Sequence, residues 1–197
     1  MIKGVKIMIL SEGVLGTQNV IKNITRSINN FSMFQKLEEQ FQAILFSELL
    51  NTNQNPLIED KRNNNCDISI GNIVIELKYQ FEFDILKMLQ FYEKETYEKL
   101  AKSIERDIEN SSEFVMFILE RNMKYFNKEK CIFKEEGIAF HNNNNCAIKI
   151  CEEYLVKLKD KYSGSKDIIF TKNYIVSSEK WRLHLVCATD RNEISTI

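Results

Sequence analysis

Residues 66–78 read CDISIGNIVIELK, two short apolar runs on either side of Gly71-Asn72. Alternating apolar residues flanking such a pair signal a β-hairpin, because glycine supplies the positive backbone dihedral that a two-residue turn needs. With the turn at these two residues the register follows: Ile70 opposes Ile73, Ser69 opposes Val74, Ile68 opposes Ile75 and Asp67 opposes Glu76. Strand side chains alternate, so Ile68, Ile70, Ile73, Ile75 and Leu77 share one face, and Asp67, Ser69, Val74, Glu76 and Lys78 share the other. Opposed residues have Cβ atoms about 5 Å apart, and Lys78 follows Glu76 by roughly 6.6 Å along the same face. The hairpin thus gathers two carboxylates and an amine.

Two ionised carboxylates at this spacing repel each other. One resolution is structural: Lys78 neutralises its neighbours in a salt-bridged hairpin, as solvated charges on strands commonly do. The other is a hard cation. Mg²⁺ takes carboxylate oxygens at about 2.1 Å, keeps several waters and coordinates phosphate oxygens. Lys78 would then orient or deprotonate a water, or steady a developing negative charge. The alternation of apolar residues argues for the strand and says nothing about catalysis.

Upstream, residues 32–51 carry Phe34, Leu37, Phe41, Ile44, Leu45 and Glu48 at helical spacing, with Ser32 as a candidate cap. On a helical wheel centred at Phe41, Leu37 and Leu45 fall about 40° to either side, Glu48 about 20° off centre, and Glu38 about 60° off, at the stripe's edge. Glu39 points away. A carboxylate in an apolar stripe needs a partner. Glu38 and Glu48 are therefore both candidates, ten residues and about 15 Å apart along a helix, too far for one metal ion.

Asp67, an eight-residue interval, and then Glu76-Leu77-Lys78 resemble the active-site pattern of the PD-(D/E)xK nuclease superfamily, which includes restriction endonucleases, Holliday-junction resolvases and DNA-repair nucleases. The proline that usually precedes the aspartate is Cys66 here. The resemblance implies an α/β, restriction endonuclease-like core: a mixed central sheet flanked by helices, in the order helix, three strands, helix, strand. It implies Mg²⁺, with Mn²⁺ as substitute, held by Asp67 and Glu76, catalytic roles for Asp67, Glu76 and Lys78, and a further glutamate from the first core helix. Glu38-x-x-Phe41-Gln42-x-x-Leu45 resembles the start of that helix in the resolvase-like branch, whereas Glu48 is better centred on the apolar face. Both stay in the candidate set, with Glu38 favoured. The implied activity is metal-dependent hydrolysis of double-stranded DNA by a restriction-type endonuclease. A repair or recombination nuclease, such as a junction resolvase, is the alternative within the enzyme class. A nucleic-acid-binding module of the same fold without catalysis is the alternative outside it. Cutting two antiparallel strands with one site per chain implies a homodimer.

The other elements fit around this core. Residues 1–30 form an N-terminal extension, partly alternating at 1–10 and with a short amphipathic helix over 16–29. Residues 56–62 are a candidate first strand, with Glu59 and Asp60 near the site. Residues 84–110 read as one long helix capped by Asp84, offering Gln90, Lys94 and Lys102 as polar candidates. Residues 113–119, EFVMFIL, read as a buried strand of the parallel type. The core spans 32–119. Residues 120–197 elaborate it, with a helix over 147–162 and strands over 167–176 and 181–188. One proline, no Gly/Ser-rich linker and no repeat imply a single domain over 1–197.

The net charge of −1 excludes a polycationic coat but permits one positive cleft. Lysines at 124, 128, 130 and 134, and at 157, 159, 161 and 166, are candidate phosphate contacts. Five cysteines without a C-x-x-C pair imply reduced thiols in a cytoplasmic protein. His141 and His184 lack metal-ligand spacing and are expected to be structural. The apolar stretch at the start is too short for a membrane span.

Overall fold

The computed structural model describes residues 14–15, 17–29, 37–52, 54–60, 66–81, 94–121, 146–171 and 175–191. Helices α1 (Gln18–Asn29) and α2 (Glu38–Asn51) precede strands β1 (Leu57–Asp60), β2 (Cys66–Ile70) and β3 (Ile73–Phe81). Helix α3 (Lys94–Asn110) leads to β4 (Glu113–Arg121), and α4 (Cys146–Lys161) to β5 (Lys166–Phe170), β6 (Val176–Ser177) and β7 (Trp181–Asp190). The strands form one seven-stranded sheet in the order β1-β2-β3-β4-β7-β5, with β6 also pairing β7. Only β3 and β4 run parallel among the paired strands. A parallel neighbour requires a crossover, and α3 lies within it. The chain is therefore a mixed α/β sheet flanked by helices, with the element order α2-β1-β2-β3-α3-β4.

Each sheet face carries its own apolar layer. Val20, Ile24 and Ile28 of α1 and Leu37, Phe41, Leu45 and Leu49 of α2 pack on Ile68, Ile75, Leu77, Val115, Phe117 and Leu185. Ile104 and Ile108 of α3, with Leu155 and Leu158 of α4, cover Phe114, Met116, Ile118 and Val186. β4 faces helices on both sides, which is why it reads as a continuous apolar run.

Several expectations need adjustment. The strand expected over 167–176 is two strands. Phe170 pairs with Val186 and Val176 with Leu183, so six steps along the segment span three on β7. Lys166 is no surface phosphate contact: it is 7% exposed and ion-pairs with Asp190 at 2.9 Å. His184, expected to be structural, is indeed buried, with Nε2 2.6 Å from Glu120. The segment 1–10, the Ser32 cap, the Asp84 cap, Gln90, the lysines at 124–134 and His141 lie outside the described residues. No described helix is long and apolar enough to cross a membrane.

Candidate active site

The site begins at the turn. Gly71 has φ of 60°, and Asn72 is not among the positive-φ residues, the sign pattern of a type II′ turn with glycine first. That turn sets the register, and Ile70↔Ile73, Ser69↔Val74 and Ile68↔Ile75 pair as the alternation requires. Beyond Ile75 the backbone ladder gives way to side chains. Asp67 Oδ2 accepts the Leu77 N–H at 2.7 Å, and Glu38 Oε2 accepts the Tyr79 N–H at 2.7 Å. The two carboxylates stand in for strand carbonyls along the side of β3 that faces away from β4. Gln42 Nε2 donates to the Asp67 carbonyl at 2.7 Å, tying α2 to β2 as well. One helix, through residues four apart, thus positions both strands of the hairpin.

Glu76 and Lys78 lie on the other face, toward α3, where their register partners on β4 are Phe114 and Met116. Asp67 and Glu76 share a side-chain hydrogen bond. Burial, then the charges of Asp67 and Asp107, push the Glu76 carboxyl up to about 8, against the pull of Lys78. Burial is also the main cause raising Asp67, opposed by the Leu77 N–H and by the hydrogen bond with Glu76. Both carboxyls are thus pushed toward their protonated forms, and a proton shared between them removes the repulsion. Lys78 Nζ lies 2.6 Å from Asp107 Oδ2 and 2.9 Å from Ser103 Oγ, both on α3. Ser103 and Asp107 are one helical turn apart, so both face the sheet.

The structure therefore gathers Asp67, Glu76 and Lys78, and sets Glu38 on the Tyr79 N–H of the same strand. It does not bring Glu48 to them. Glu48 is 8% exposed and accepts from Asn19 Nδ2 on α1 at 2.7 Å, so its stripe position is explained by helix–helix packing. Glu59 lies between the pairs Ile58↔Ile68 and Asp60↔Cys66, across from Asp67, with an exposed side chain and φ of 48°. Lys102 is exposed on α3. The residues that sequence reasoning missed are Asp107, Ser103 and the carbonyl contact of Gln42. Asp107 carried a readable signal: with Leu100, Ile104 and Ile108 it sits in an apolar stripe, the same anomaly that flagged Glu48.

Among the described residues, no three or more His, Cys, Asp or Glu side chains are grouped so as to hold one metal ion. Asp67 and Glu76 form a pair of oxygen donors, half-buried and held together by a proton. That donor set suits a hard divalent cation, which would relieve the same repulsion and keep waters for its remaining positions. Compared with protein-family models, curated proteins and solved structures, the chain matches none.

Proposed function

We propose that the protein is a Mg²⁺-dependent endonuclease that hydrolyses phosphodiester bonds of duplex DNA, with a restriction endonuclease-like core. The observation that carries this reading is the convergence of Asp67, Glu76 and Lys78 around a proton-sharing carboxylate pair, within the order α2-β1-β2-β3-α3-β4. Asp67 and Glu76 would hold the cation. When bound, Mg²⁺ supplies Lewis-acid polarisation of the phosphodiester and lowers the pKa of an attacking water.

The chain's own residues perform the remaining work. Glu76 would give up its proton on holding the ion, so at neutral pH the pair would be doubly anionic only with a positive charge to balance it. Asp67 is oriented by the Leu77 N–H, which leaves it little freedom to turn away. The Lys78 ammonium presents a positive charge on the face shared with Glu76, suited to the negative charge that builds on phosphate oxygens. Glu38 and Gln42 fix α2 against the strand ends that bear these groups.

The test is cleavage of supercoiled plasmid in Mg²⁺, Mn²⁺ or EDTA. Cleavage is expected with either metal and absent in EDTA. Asp67→Ala and Glu76→Ala should each lower the rate by at least about 100-fold, the scale of lost transition-state charge stabilisation, with the fold retained. Undiminished cleavage in EDTA rejects the mechanism.

A further inference from the structure

Lysine is a poor device for placing a charge. Its ammonium is a point charge on four flexible carbons, and fixing it costs rotamer entropy. Lys78 is nevertheless held: its side chain is 18% exposed, and its ammonium meets Asp107 at 2.6 Å and Ser103 at 2.9 Å. Asp107 is itself braced. Its Oδ1 accepts from Arg106 Nε at 3.2 Å and Nη2 at 3.0 Å, leaving Oδ2 for the lysine. Its carbonyl accepts from Ser111 Oγ at 2.7 Å, at the helix end. The next residue stitches that end to the hairpin: Ser112 N–H donates to the Val74 carbonyl at 2.8 Å, and the Val74 N–H donates to Ser112 Oγ at 3.2 Å. Val74 precedes Glu76 by two residues. The anchor and the carboxylate pair are thus fixed to the same short stretch of β3.

We propose that Asp107 is a positioning residue for Lys78, holding its ammonium on the Asp67–Glu76 face in the geometry that catalysis needs. The proposal rests on the nuclease reading and adds to it a residue on a different element. Asp107 is not proposed as a metal ligand, because Arg106 occupies its Oδ1 and Lys78 its Oδ2. Its side chain is 10% exposed and engaged on both oxygens, so it is not disposed to meet substrate itself.

The experiment compares wild type with Asp107→Ala, Asp107→Asn and Ser103→Ala on duplex DNA with Mg²⁺, and follows the Lys78 side-chain nitrogen by NMR relaxation without DNA. Asp107→Ala is expected to lower kcat roughly 100-fold, the scale of an ångström of misplacement, with KM within about twofold, as befits an interaction needed only in the transition state. Asp107→Asn, which keeps an acceptor oxygen, should recover part of kcat. In each Asp107 variant the Lys78 nitrogen should become more mobile while other lysines do not change. Ser103→Ala removes the second contact without burying a new group, so it remains informative if an Asp107 variant fails to fold: a severalfold fall in kcat is expected, and an unchanged kcat counts against the proposal. An active wild type with normal kcat in Asp107→Ala overturns the positioning role and leaves the nuclease reading intact. A wild type that never cleaves rejects the nuclease reading instead, and with it the catalytic purpose assigned to Asp107.

Discussion

Burial and the charge of Asp67 both penalise the ionised form of Glu76 and push its carboxyl up to about 8. This makes stability depend on pH in a fixed direction. The unfolded chain releases the Glu76 proton near 4.5, the folded chain near 8, so the native state binds more protons between those values. The contribution is fully present below about 4.5 and is lost as pH rises through about 8. In EDTA the melting temperature should therefore fall from pH 5 to pH 9, Asp67 contributing in the same direction. Glu76→Gln cannot ionise and should flatten the fall. Mg²⁺ should restore the lost stability at the alkaline end, since a ligand that binds only the folded chain stabilises it. A wild-type profile already as flat as that of Glu76→Gln would mean the carboxylate is solvated rather than buried.

At the scale of elements, the hairpin was legible because its two signals are local. Alternation sets the faces, and Gly71 sets the turn. A Cβ built at Gly71 meets nothing within 4 Å, so replacing it tests the backbone alone. Gly71→Ala should cost about 1–2 kcal/mol, the penalty of a left-handed residue with a Cβ, read as a lower urea midpoint with unchanged slope. An unchanged midpoint would show that the turn readjusts. The helix α2 was legible for the same local reason, but its two glutamates were not separable by periodicity. What separates them is tertiary: the end of β3 lies beside Glu38, and α1 lies beside Glu48. The stripe position of Asp107 was readable, but its partner was out of reach for a further reason. Asp107 meets Lys78 across 29 residues of sequence, and only the packing of α3 on the sheet makes them neighbours. The split between β5 and β6 likewise arises from shared pairing with β7, which no pattern within 166–177 encodes.

The whole molecule offers one proposed site to a duplex with two strands. The hairpin supplies a single carboxylate pair, and among the described residues no group of three or more His, Cys, Asp or Glu side chains could hold a further ion. Two strands of opposite polarity are cut most simply by two copies related by a two-fold axis, each presenting the same site in the reverse sense. The near-neutral net charge favours this arrangement, because two copies can approach without the mutual repulsion of a strongly basic protein. The N-terminal segment and the chain after Leu119 are the expected contacts. Light scattering should give a mass near twice 23.2 kDa for the free protein or for its complex with duplex DNA after subtraction of the DNA. The kinetic counterpart is the order of plasmid cutting: a dimer with two sites linearises supercoiled DNA with little nicked circle accumulating, whereas a monomer nicks first and linearises later. A monomeric mass in both states, together with accumulation of nicked circles, would assign the protein to single-strand cleavage and remove the need for a symmetric pair.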